Sequence, residues 1–223
     1  MLSKIEFDSI NTAKAIYSDE LYGSSDALAI TDIAMAHDGL VVIVAADTQA
    51  ANRLEKEVQF FSEQKLTILS LPDWETLPYD VFSPHQDIIS TRLLTLYQLP
   101  LVKKGLLIVP ISTLMQRLAP REYLQLHSLV LKKADKVDLI QMRQTLTAAG
   151  YRHVEQVMEH GEFAQRGSLL DLYPMGSTMP FRIDFFDDEI DSIRLFDPDN
   201  QRSAENINEI QLLPAREFPM DES

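Results

Sequence analysis

The sequence predicts an α/β unit with a parallel sheet, followed by a smaller α+β unit with an antiparallel sheet. Two patterns carry that division. Up to residue 124, short apolar runs alternate with segments of helical period, joined by short links, as in a parallel sheet with crossover helices. After it, one helical segment precedes several short alternating runs with turn-forming residues between them, as in an antiparallel meander. The expected domains are residues 1–124 and 128–214.

In the first unit, Ser24 and Ser25 are N-cap residues for a helix to about Met35. Residues 40–45, LVVIVA, are apolar on both faces, as a buried parallel strand is. Asp47 caps a helix with Ala50, Leu54, Val58 and Phe61 at three- and four-residue spacing. A short strand at 66–71, a proline-flanked loop holding Trp74 and a helix over 87–98 follow. Residues 105–111 read as another buried strand, with Ser112 capping a short helix. Trp74 reads as a packed loop anchor, with a ligand site as the alternative.

In the second unit, a helix over 138–149 ends at Gly150, a left-handed stop. Candidate strands span 151–157, 162–166, 168–173, 180–186, 190–196 and 207–213.

The chain carries 20 Lys and Arg against 34 Asp and Glu, a net charge of −14. The deficit is spread evenly: 10 basic against 16 acidic residues up to residue 124, and 10 against 18 after it. Bulk charge therefore disfavours a phosphate backbone as partner unless arginines gather in one patch. Without cysteine, disulfides, thiolate metal sites and a Cys nucleophile are excluded. The longest apolar run is far too short to span a bilayer, and the first residues lack a secretory pattern. No membrane association and a cytoplasmic location are expected.

Motifs that carry chemistry are few. A phosphate loop, GxxxxGK[ST], belongs ahead of the first helix, where the chain has LYGSSDALAI, without the lysine and with Asp26 where an anion would sit. DDEID, at 187–191, resembles an acidic helicase box but lies between two strands, where it reads as a solvated hairpin turn. The five histidines have no metal-ligand spacing, and GxSxG is absent. No catalytic residue, metal site or cofactor is expected.

One strand stands out. Along FRIDFF, alternation puts Phe181, Ile183 and Phe185 on the core side and Arg182, Asp184 and Phe186 on the other. An aromatic beside an arginine on a wet face has the chemistry of an interface anchor. In the strand ending at Arg166, the same rule sets Glu162, Ala164 and Arg166 away from Phe163, suggesting a second exposed arginine. The alternative is that Phe186 tucks under the following hairpin while the arginines merely solvate the sheet.

DWETLPYD with SPHQDIISTRLLTLYQL, then GYRHVEQVMEHGEFAQRGSLLDLYPMG and FRIDFFDDEIDSIRLFD, resemble the N-terminal region of the bacterial transcription-repair coupling factors. The resemblance covers nearly the whole chain. More distantly the two halves resemble domains 1A and 2 of the excision-repair protein UvrB. The implied fold is a degenerate P-loop NTPase-like domain followed by a UvrB domain 2-like module. It further implies that the phosphate loop and the DNA-clamping aromatic hairpin of UvrB are lost, and that the second domain docks UvrA, the damage-recognition ATPase. Carried over by motif, the contact residues are Arg166 of FAQRG, Arg182 and Phe186 of FRIDFF, and Asp184.

The resemblance thus implies a non-enzymatic adaptor that brings UvrA to RNA polymerase stalled at DNA damage. RNA polymerase and DNA would be engaged by other parts of the full-length protein, which include its ATP-driven translocase motor. The chain stops at PAREFPMDES, so that motor is expected to lie outside it. The competing reading is a nucleic-acid- or nucleotide-binding module kept from a UvrB-like ancestor.

Overall fold

The computed structural model describes residues 21–76, 81 and 83–218. Residues 77–80 and 82, in the proline-flanked loop after Trp74, lie outside the described residues, and with them the implied loss of the aromatic hairpin. The first unit runs α1 (Ser25–Ala36), β1 (Leu40–Ala45), α2 (Thr48–Ser62), β2 (Ile68–Ser70), α3 (Gln86–Gln98), β3 (Gly105–Pro110) and α4 (Ile111–Leu114). Its three strands are parallel, in the order β1-β3-β2. The chain crosses from β1 to the far edge and returns to the centre, so right-handed crossovers set α2 and α3 on opposite faces. Ala27 and Ala34 of α1, with Leu54 and Val58 of α2, pack on Leu106 and Ile108. On the other face Leu96 and Leu99 pack with Leu69, Leu107 and Val109.

Three expectations change in detail, the first being that Ser24, at the N-cap of α1, makes no side-chain capping hydrogen bond. β3 is buried throughout, but β1, read as buried on both faces, is an edge strand that exposes Val42 and Val44. Its second face is open because the packing around α3 reaches only Leu40 of β1. The short helix expected from Ser112 starts at Ile111, directly behind Pro110, without a side-chain cap. Asp47 caps α2 as read, accepting from the Ala50 amide at 2.7 Å.

The second unit follows α5 (Arg121–Leu126) with β4 (Leu129–Lys132) and α6 (Leu139–Ala148). Asp138 accepts from the Ile140 and Gln141 amides to cap α6, and Gly150 stops it at φ +94°. Then come β5 (Arg152–His153), β6 (Glu162–Arg166), β7 (Leu169–Tyr173), β8 (Phe181–Phe186), β9 (Glu189–Phe196), β10 (Ser203–Ile207) and β11 (Glu209–Leu212). Six of them form a sheet in the order β10-β9-β8-β7-β6-β5, antiparallel except for the short parallel β5–β6 pair. The expected strand at 207–213 divides: its first residue ends β10, and β11 leaves to pair with β4.

The core face of this sheet holds Phe163, Leu170, Leu172, Phe181, Ile183 and Phe185, closed by Met142 and Leu146 of α6. Leu93 of α3 lies in the same cluster. α3 therefore serves both cores, one through Leu93 and the other through Leu96 and the helix's C-cap Leu99, with Leu96 also touching the cluster of Leu93. Polar contacts reinforce that joint. His160, just before β6, sets its ring nitrogens 2.8 Å from the Asp87 carboxylate of α3 and 2.7 Å from the Ser177 carbonyl. Fully buried Arg92 of α3 grips Glu217 with two bonds of 2.8 Å and donates to the Pro72 carbonyl at 2.6 Å. Its guanidinium lies 4.8 Å from the Trp74 ring centroid, and Trp74 Nε1 donates to the same Glu217 carboxylate at 2.9 Å. Trp74 is thus a packed anchor, held also edge-on against Phe218.

Candidate docking face

The cross-strand register decides which side chains share the wet face of the six-stranded sheet. Arg166 stands opposite Leu169, Asp171 opposite Arg182, Leu169 and Ser192 opposite Asp184, and Arg194 opposite Arg182. Directly paired residues project to one side. Arg166, Asp171, Arg182, Asp184 and Arg194 therefore meet on one surface, with Phe186 at its end. The ladder slips once, where Ser192 faces Asp184 but Ile190 faces Phe185. The extra residue, Asp191, is in β9, so β8 keeps the alternation read from its sequence.

Phe186 is 81 % exposed at the mouth of the β8–β9 hairpin and does not tuck beneath it. The hairpin turns at Asp187, with φ +58°, and Lys136 lies 3.5 Å from Asp188. Of DDEID, Asp187 and Asp188 are the solvated turn, whereas Glu189 to Asp191 already belong to β9 and Ile190 is buried. The Arg166 side chain is 56 % exposed and places Nη2 2.9 Å from Asp171 Oδ2. Glu162 and Ala164 are buried, beside a small apolar cluster of Val154, Val157, Tyr173 and Phe196. Within β6, Arg166 alone is exposed on this face.

Arg182 differs from its sequence reading in one respect. The expectation is an exposed arginine on the wet face, but its side chain is only 16 % exposed. Nε and Nη2 donate to the two oxygens of Asp171, at 2.7 and 2.8 Å, and Nη1 donates to the Gln201 carbonyl at 3.2 Å. The guanidinium sits 4.8 Å from the Phe196 ring centroid. The Asp171 hydrogen bonds raise its already high pKa, against the smaller opposing effect of burial. Asp184 is partly exposed, 3.4 Å from Arg194 Nη2.

Sequence reasoning missed Asp171 and Arg194. Alternation along LLDLY does set Asp171 on the wet side. Its importance comes from the arginines of two other strands, which no single strand's pattern shows. Arg194 and Arg182 would repel across the ladder, and Asp184 and Asp171 offset them. The result is three guanidinium groups, the carboxylates of Asp171 and Asp184 between them, and at the end of the face a bare benzyl ring paired with exposed Glu189. An exposed ring on a face that carries guanidinium groups suits a protein surface with carboxylates around an apolar depression.

The turn ahead of α1 is different. Gly23 adopts φ +60°, and Asp26 Oδ1 accepts from the Ala27 amide at 2.7 Å. Arg53 of α2 pairs with the same carboxylate at 2.6 and 3.2 Å. The chain's own carboxylate thus occupies the helix N-terminus. The Arg53 hydrogen bond holds the Asp26 carboxyl below its usual range, outweighing partial burial. A depressed carboxyl contributes stability above its unfolded pKa of about 3.9 and loses it as pH falls through the folded value. Asp26→Asn should therefore remove up to about 1 kcal/mol at neutral pH, and flatten the acid limb of a urea-midpoint-versus-pH curve below about pH 4. An unchanged limb would show that the pair contributes nothing.

Residues 129–218 match the UvrB interaction domain. The chain is 56 % identical over 204 residues to the transcription-repair-coupling factor of Escherichia coli K12, covering 92 % of this chain and 18 % of that protein. It is 57 % identical over 198 residues to the one from Haemophilus influenzae, covering 89 % of this chain and 17 % of that protein. With the Staphylococcus aureus Mu50 protein the identity is 34 % over 183 residues, 82 % of this chain and 15 % of the relative. The chain spans less than a fifth of the length of these curated relatives. Among the described residues, no helix is long and apolar enough to cross a membrane.

Proposed function

We propose, from its similarity to transcription-repair-coupling factors, that the chain is a non-catalytic adaptor that binds UvrA through the wet face of its six-stranded sheet. The chain would thereby recruit nucleotide excision repair to RNA polymerase stalled at DNA damage, acting in the cytoplasm as part of a longer protein. Polymerase engagement and ATP-driven translocation would belong to other parts of that protein. The observation that carries the reading is Phe186. A fully buried core lies on one side of its strand, yet this ring stands in water at the end of the face that carries the arginines, within the span that matches the UvrB interaction domain. Arg166 would supply the open guanidinium for a UvrA carboxylate, and Phe186 would fill an apolar depression. Arg182 would add charge and shape behind them, and Asp184 a rim contact. The first unit would be a degenerate P-loop NTPase-like domain. Its parallel sheet and the Asp26–Arg53 pair at the first helix support that reading.

The test is a calorimetric titration of the whole chain with purified UvrA. The whole chain is used because α3, outside residues 128–214, contributes Leu93 to the core beneath the docking face. Saturable binding without added DNA or nucleotide is expected. No binding to UvrA, with salt-dependent binding to DNA instead, would overturn the adaptor reading in favour of a nucleic-acid module.

A further inference from the structure

Asp171 is the most deeply buried acid on the docking face, with a side chain only 2 % exposed. It sits on β7, between the strands that carry the two arginines. Its Oδ1 accepts from Arg182 Nε at 2.7 Å, and its Oδ2 accepts from Arg182 Nη2 at 2.8 Å and Arg166 Nη2 at 2.9 Å. One carboxylate therefore binds two guanidinium groups and leaves an excess positive charge on the solvent side. Long arginine side chains lose rotamer freedom when a partner binds, and a group that fixes them beforehand removes that cost from association. With its oxygens already occupied and its surface covered, Asp171 is poorly placed to touch a partner itself.

We infer that Asp171 is a positioning residue for the docking face, holding Arg166 and Arg182 in the arrangement that the partner meets. This rests on the reading that the face docks UvrA. Asp171→Asn keeps the shape, but it removes the charge and one of the acceptor oxygens, so the Arg182 fork can no longer be held on both nitrogens. The variant should weaken UvrA binding about tenfold by calorimetry. In an Arg166→Ala/Arg182→Ala background the same change should alter affinity less than twofold, because the groups it positions are gone. A merely structural role would persist in that background.

Nuclear magnetic resonance of the free chain supplies a readout independent of UvrA. The Arg182 Nε–H signal should be sharp and slow to exchange in the wild type, and lost in Asp171→Asn while the backbone amide dispersion remains. Should Asp171→Asn fail to fold, Asp171→Glu takes its place, since it keeps the charge on a longer arm and should displace the fork. A folded Asp171 variant with wild-type affinity would overturn the inference, as would an averaged, fast-exchanging Arg182 signal in the wild type. Absence of UvrA binding by the wild-type chain would instead sink the docking reading, and the Arg182 signal would still report whether Asp171 holds the fork.

Discussion

Replacing Arg92 with alanine should destabilise the chain by about 3–5 kcal/mol, the usual cost of stranding one partner of a buried ion pair. Arg92 is fully enclosed, and Glu217 would be left nearly solvent-free with only the Trp74 indole as donor. The Pro72 carbonyl would also lose its guanidinium donor. The effect should appear as a lower urea midpoint. Trp74 is the only tryptophan in the chain and stacks on this guanidinium, so its fluorescence reports the joint directly. Arg92→Met combined with Glu217→Leu should recover most of the loss, because an apolar pair of similar volume needs no desolvated charge. A single Arg92→Ala variant with an unchanged midpoint would show that the pair does not hold the two units together.

Phe186→Ala and Arg166→Ala should each weaken UvrA binding at least tenfold while leaving stability within about 0.5 kcal/mol, since both side chains are largely in water. Arg182→Ala should behave differently. It breaks a bidentate pair with a buried carboxylate, so stability and binding should fall together. The contrast separates an exposed anchor from a buried support. Wild-type affinity in both Phe186→Ala and Arg166→Ala would remove the docking face from the account of UvrA binding.

The two fold classes were legible because burial imposes a period. Leu54 and Val58 repeat at helical spacing, and Phe181, Ile183 and Phe185 at strand spacing, and the structure buries all five. The same alternation put Arg182, Asp184 and Phe186 on the opposite face, where they stand. What remained hidden depends on contacts distant in sequence. Arg92 and Glu217 are 125 residues apart, and a helical arginine gives no sign that it will be enclosed. Asp171 gains its place from β6 and β8 together. The bulge at Asp191 follows from register, so Ile190 and Ile193 both reach the core although strict alternation would send one to water. The open face of β1 was missed because an apolar strand reads alike at a sheet's centre and at its edge.

Hydroxyl-radical footprinting of the whole chain, with and without saturating UvrA, tests the proposed contact at the level of single rings. Phe186 and Phe60, on α2 of the other unit, are nearly equally open, at 81 % and 78 % exposure, so each is readily oxidised in the free chain. Docking through the arginine face requires UvrA to suppress oxidation of Phe186 and leave that of Phe60 unchanged. Undiminished oxidation of Phe186 in a saturated complex would contradict it.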